Sequence, residues 1–284
     1  MAKCRRILAF VLLVGLCLGI SPARAEGNSA YDRVVNSGIL RCGYIVWPPL
    51  FTKDPATGEY GGIFYDYVEA AGKALNLKIE WTEEVTPATY IEGLRAKRFD
   101  MLCSGDWPNS SRAKYLDYTD PIFYIPLMPF VKKEDRRFEQ NLQAANNPQI
   151  TVSTIDGEMS SVIARSDLPK AKTLELPNSS DPTLMLSNVA SGKADMAITD
   201  MATGLKFMKN NDGLLRQVNL SEPVRLFPNT LSLSLGEDKL RQMINTATRE
   251  LLYDGTIDRI ITKHEEPQGV FYRIARPYNE HKSQ

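Results

Sequence analysis

Histidine occurs twice in the 284 residues and cysteine four times. Ligands this sparse form no zinc-binding Cys/His spacing and no histidine-centred catalytic cluster. His264 and His281 stand alone in the sequence, without an acidic or Cys/His constellation around them. An excess of one charge is also missing: 34 Lys and Arg balance 34 Asp and Glu. That balance argues against a nucleic-acid surface or a polybasic membrane surface. Past Ile20 no apolar run approaches the length of a membrane span. There is no internal repeat and no low-complexity stretch, so the composition is that of an ordinary globular α/β protein.

What is present begins with a targeting segment. Lys3, Arg5 and Arg6 precede a nearly continuous apolar run from Ile7 to Ile20, and Ala23-Arg24-Ala25 forms a small-x-small cleavage site before Glu26. Residues 1–25 therefore read as a signal peptide, cleaved after Ala25, and the mature chain as a soluble periplasmic protein. Cys17 follows Leu16 rather than the small residue of a lipoprotein signal. Cys4 and Cys17 leave with this segment, and Cys42 and Cys103 remain in an oxidising compartment. Residues 26–284 suffice for two lobes, each with its own core.

Strand and helix patterns alternate along the mature chain, which predicts a parallel sheet covered by helices. A short helix over Ala30–Ser37 leads to a strand over Leu40–Ile45 and an aromatic loop, Val46-Trp47-Pro48-Pro49-Leu50-Phe51. Phe64, Val68, Ala71 and Leu75 lie at helical spacing. Strands are expected over Lys78–Val85 and Phe99–Cys103, with a helix over Tyr90–Lys97 between them. The stretch from Phe99 to Tyr124 is the most informative. Its strand breaks at Ser104-Gly105, small enough for a ligand to approach the backbone. Asn109 reads as the N-cap of a new helix, with Arg112 in its first turn. A strand end, helix N–H groups and a guanidinium so close together make a place to hold a carboxylate. A plain surface arginine is the alternative.

Asp100, Gly105, Arg112 and Tyr118-Thr119-Asp120-Pro121 stand in the order of the first-lobe motif of the family 3 extracellular solute-binding proteins. These are the polar-amino-acid receptors of ABC importers. Ser191-Gly192-Lys193-Ala194-Asp195-Met196-Ala197-Ile198-Thr199-Asp200 resembles that family's second-lobe segment almost letter for letter. Leu251 to Ile260 resembles its closing helices. The resemblance implies a two-lobed periplasmic-binding-protein-like α/β fold, with two crossings and a ligand cleft between the lobes. Lobe one would take residues 26–124 and 229–284, the latter with the closing helices and a polar tail from Glu265, and lobe two 125–228. The crossings would lie at Ile125–Val131 and Leu231–Leu235. The fold also sets the strands of Cys42 and Cys103 side by side. A disulfide there stays open, but a bridge between neighbouring parallel strands needs awkward geometry, and two small buried thiols are the favoured reading.

The resemblance further implies the ligand set. Arg112 would pair a ligand carboxylate bidentately. Asp200 would accept its ammonium, cap a helix, or do both. Trp47 would pack over the ligand, with Trp107 completing an aromatic wall, and Gly105, Gly157 and Glu158 would line the pocket. Glu158 stands where the family often has a threonine that helps hold the carboxylate. With Asp106 it hints at a ligand carrying extra positive charge, unless both face solvent at the rim. The expected ligand is a small zwitterion, an amino acid or derivative, captured by a monomer without cofactor and passed to a membrane permease. Two alternatives share the fold: an exported enzyme resembling cyclohexadienyl dehydratase, with Glu158 or Asp106 as general acid, and a receptor serving a sensor or a dehydrogenase.

Overall fold

A computed structural model describes residues 29–139 and 141–274. The signal peptide and its cleavage site fall outside the described residues, as do residues 275–284.

Helix α1 (Ala30–Ser37) starts where Ser29 Oγ accepts from Asp32 N at 3.0 Å and stops at Gly38. Strand β1 (Ile39–Tyr44) follows, then a loop and a two-stranded hairpin, β2 (Thr52–Lys53) with β3 (Tyr60–Gly61). Helix α2 (Ile63–Ala74) buries Phe64, Tyr67, Val68 and Ala71 on one face. Strand β4 (Lys78–Glu84), helix α3 (Tyr90–Arg95) and strand β5 (Met101–Asp106) complete a unit in which β1 lies parallel to both β4 and β5. The short β6 (Leu116–Tyr118) precedes a ten-residue strand, β7 (Phe123–Lys132).

A second unit repeats the pattern. Strand β8 (Thr151–Ile155), helix α4 (Met159–Asp167), strand β9 (Lys172–Leu176), helix α5 (Thr183–Ala190), strand β10 (Met196–Asp200) and helix α6 (Met201–Asn210) place β8 parallel to β9 and β10. The short β11 (Leu215–Gln217) leads to another ten-residue strand, β12 (Arg225–Ser234). Helices α7 (Asp238–Tyr253) and α8 (Thr256–His264) and the short β13 (Tyr272–Arg273) close the chain.

The long strands join the two units in a single sheet, ordered β4-β1-β5-β12-β7-β10-β8-β9. The first part of β12, Arg225–Asn229, pairs with β7; its second part, Thr230–Leu233, pairs with β5. The buried apolar side chains separate accordingly. Two clusters draw on residues 34–125 and 231–271, and two on residues 127–218. The result is the expected two-lobed α/β architecture.

Six expectations change. The return strand starts at Arg225 rather than Leu231; Pro228 and Asn229 interrupt the apolar alternation there. Strand β5 does not break at Ser104 but runs on to Asp106. No helix follows Asn109: its side chain accepts from Ser111 N (2.9 Å) and Ser111 Oγ (2.8 Å), and its carbonyl from Arg112 N (3.0 Å). A short polar side chain that bonds its own backbone offers the chain a turn instead of a helix. Cys42 and Cys103 form a disulfide, with Cα atoms 5.4 Å apart. Cys42 pairs in register with Met101, so Cys103 is its diagonal neighbour and the bridge reaches across two residues. The start of the tail, expected to be polar, is part of the core: Val270 and Phe271 are buried in the first lobe, and β13 pairs with β7 at Phe123–Tyr124. His264 is not isolated either, since its Nε2 lies 2.7 Å from Asp66 and ties α8 to α2.

Candidate functional site

Ligands on open α/β sheets sit outside the carboxyl ends of the strands. Here the ends of β1, β5, β8, β9 and β10 converge on one cleft of about 370 Å³. Seven of the residues singled out in the sequence line it: Trp47, Gly105, Asp106, Trp107, Arg112, Glu158 and Asp200. Another cavity, of about 380 Å³, lies elsewhere on lobe one, bordered by Arg33, Lys97 and Lys114, and holds none of them. Asp100, part of the first-lobe motif, is also remote from the cleft: it is buried and paired with Arg33 and Arg41.

Arg112 projects from the turn after β5. Its guanidinium lies 3.5 Å from Asp106, 3.8 Å from Glu158 and over the Tyr90 ring at 5.6 Å. Both ion-pair distances exceed the roughly 2.7–2.9 Å of a charge-assisted hydrogen bond. The guanidinium is thus held in place with donors to spare, the arrangement that a bidentate carboxylate would complete.

Asp106 is neither a rim residue nor a free ligand contact. It is buried; Tyr90 Oη donates to its Oδ2 at 2.8 Å, Ser232 Oγ donates to the same oxygen, and Trp107 N donates to Oδ1 at 2.8 Å. Burial pushes its carboxyl above the usual range, against the pull of Ser232, Tyr90 and Arg112. Its work is to fix Tyr90, the return strand and the base of Arg112.

Asp200 ends β10 and opens α6. Its Oδ1 accepts from Thr203 N at 2.8 Å, a side-chain N-cap. Thr199 Oγ1 lies 3.5 Å from its Oδ2. The residue is 5% exposed, and burial raises its pKa against those hydrogen bonds. One oxygen therefore caps the helix, and the residue borders the cleft.

Glu158 precedes α4 with extended backbone and makes no side-chain cap. Its side chain is 33% exposed and reaches towards Arg112 from the opposite lobe. Burial raises its pKa; Arg112 opposes the shift and Asp106 adds to it. Gly157 does not line the cleft. Its φ of +73° makes the turn that sets Glu158 in place. Gly105 does line it, and has a second reason to be glycine: its φ is +95°, and a Cβ would meet the Phe64 ring at 2.3 Å.

The aromatic wall is built from both sides of a crossing. Trp47 meets Trp107 edge-on, with centroids 5.2 Å apart. Trp107 stacks on Phe227 of β12 at 5.1 Å and donates its Nε1–H to Asn229 Oδ1 at 3.2 Å. Sequence reasoning missed Tyr90, Thr199 and the polar turn Asn178-Ser179-Ser180, all of which border the cleft. The turn follows β9, so the strand-end rule that picked out Trp47 and Asp200 would have found it. Tyr90 carried no such signal, because its phenol reaches the cleft from the start of a helix.

The profile of the bacterial extracellular solute-binding proteins, family 3, matches residues 40–266. A probable amino-acid ABC transporter-binding protein of Haemophilus influenzae is 25% identical over 262 residues, 90% of this chain and 95% of its own. A cyclohexadienyl dehydratase of Pseudomonas aeruginosa is 27% identical over 192 residues, 66% of this chain and 69% of its own. Among solved structures, an ancestral amino-acid-binding protein described as a precursor of cyclohexadienyl dehydratase superposes with a TM-score of 0.69. It is 26% identical and covers 83% of this chain and 99% of its own. An ancestral arginine-binding protein bound to arginine gives a TM-score of 0.66 at 25% identity, covering 80% and 98%. With its two α/β lobes, its cleft at the strand ends and a profile match over most of its length, the chain belongs to the family 3 extracellular solute-binding proteins.

Proposed function

We propose that this protein is an exported, monomeric receptor that captures a zwitterionic amino acid between its lobes and presents it to an ABC permease. The observation that carries the reading is the pairing across the cleft. Arg112, on the first lobe, keeps donors unused, and Asp200, on the second, keeps an acceptor unused. A ligand carboxylate takes the first and its ammonium the second. Only the closed arrangement makes both contacts, so the ligand favours closure. Trp47 and Trp107 cover the apolar part of the ligand. The amino-acid-binding relatives support the same reading.

The test is a thermal-shift panel of the L-amino acids on residues 26–284. A ligand at a hundred times its Kd stabilises the folded state by about 2.7 kcal/mol. At least one amino acid should raise the melting temperature, and Arg112→Ala should abolish that rise. An Arg112→Ala protein with undiminished affinity would remove Arg112 from the site.

A second reading rests on the dehydratase relative and on Glu158, an acid held partly out of water beside Arg112. A dehydration needs a general acid near the leaving hydroxyl. Turnover of prephenate by the wild type, absent in Glu158→Gln, would establish an enzyme; no turnover by either would leave the receptor reading standing.

A further inference from the structure

Resting on the receptor reading, we infer that Glu158 is a built-in competitor for Arg112, an internal carboxylate that the incoming amino acid must displace, so that capture is coupled to proton uptake. The argument is geometric. Glu158 and Arg112 come from opposite lobes and meet in the cleft at 3.8 Å. The carboxylate is near enough to neutralise the guanidinium but too far to hydrogen-bond it. Among the described residues Glu158 makes no other ion pair, and its side chain does not cap α4. It occupies the side of Arg112 left open by Asp106, which Tyr90, Ser232 and the Trp107 amide pin in place. Asp106 cannot swing aside; Glu158 can.

Displacement has a defined electrostatic consequence. A ligand carboxylate that takes Arg112 removes the one nearby cation holding Glu158 ionised, and places a second negative charge beside it. The charged and titratable groups around Glu158 are Arg112 and Asp106, with Tyr90 and Asp200 elsewhere on the cleft wall. None of the other three offers a replacement cation. The Glu158 pKa, already raised by burial, therefore rises further on binding. A group whose pKa rises on binding takes up a proton, and affinity improves as pH falls through that interval. Asp200 acts in the opposite sense, because its protonation removes the acceptor for the ammonium. Comparison with Glu158→Gln, which keeps Asp200, separates the two.

The experiment is calorimetric titration of L-glutamine and L-alanine, whose side chains carry no charge, into residues 26–284, wild type and Glu158→Gln, at pH 5, 6 and 7.5, in buffers of different ionisation enthalpy. Glu158→Thr serves as a second variant, and circular dichroism confirms that each variant is folded. The expected result is that both variants bind about tenfold tighter than wild type at pH 7.5. The gap should close towards pH 5, and only the wild type should take up the additional proton. Binding by the variants alone would be the same result in stronger form. Equal or weaker binding by both variants at every pH overturns the inference and leaves the receptor reading intact. No binding of either probe by any of the three proteins overturns the inference, while the receptor reading falls only if no amino acid of the full panel binds.

Discussion

Asp200 divides its work between two oxygens, and the division can be tested by one atom's exchange. Oδ1 caps α6 through Thr203 N, Thr199 Oγ1 lies 3.5 Å from Oδ2, and the residue borders the cleft. Asn also caps helices, but its amide nitrogen cannot accept from an ammonium. Asp200→Asn should therefore weaken amino acids about ten- to a hundredfold, the value of a lost hydrogen bond to a charged group, while deaminated analogues lose little. The ligand-free protein should respond in the other direction. Burial raises the folded-state pKa of Asp200, so its contribution to stability is present at low pH and is lost as pH rises through that value. Removing the charge should raise the ligand-free melting temperature at pH 7. The gain should fade as pH falls below about 4. A lower melting temperature at pH 7 would mean that the cap outweighs the buried charge. Asp200, Arg112 and Trp47 were legible in the sequence because each sits at a motif position after a strand. Asp106 was misread for a physical reason: what defines it is Ser232, 126 positions away. No local pattern shows that partner.

At the level of elements, the α/β alternation was readable because each strand and helix buries one periodic face, and those faces persist in the fold. Elements decided by competition were not. The helix expected at Asn109 lost to a turn made by its own side chain. The tail looked polar because two apolar residues, Val270 and Phe271, are surrounded by charged and turn-forming ones. Phe271 packs edge-on against Phe123 of the crossing strand β7, at 5.4 Å, and Phe123 packs against Phe64 at 5.6 Å. Phe64 in turn lies beneath Gly105, at the floor of the cleft. Glu265, itself buried, accepts from Phe271 N and Arg273 Nη1, each at 2.8 Å. The segment just past the family match therefore braces the strand on which the lobes join. Phe271→Ala should cost about 3–5 kcal/mol, as large aromatic truncations in cores do. Tyr272→Ala, at an exposed neighbour, should stay within about 0.5 kcal/mol of wild type. Denaturant unfolding of the two variants makes the comparison, and equal small losses would show that the segment does not belong to the core.

Across the whole molecule, the two lobes share one sheet but not one core, and the antiparallel pair β7–β12 carries the connection. Closure is then decided where the lobes face each other: in the cleft, where Arg112 meets Glu158, and beside it, where Met201, Ala202 and Leu205 of α6 pack against the first-lobe core. A ligand shifts the equilibrium only by its difference in affinity for the two states. On the proposed reading, a zwitterion gains that difference by holding Arg112 on one lobe and Asp200 on the other. An analogue with the carboxylate but no amine touches Arg112 alone. It has little reason to prefer the closed state, and it loses the attraction of Glu158 across the cleft as it binds. Small-angle scattering should therefore show a smaller radius of gyration with the best amino acid from the panel. The deaminated analogue at saturation should leave the radius unchanged or larger. Equal compaction by both would mean that the carboxylate alone drives closure, and Asp200 would then act as the cap of α6 and nothing more.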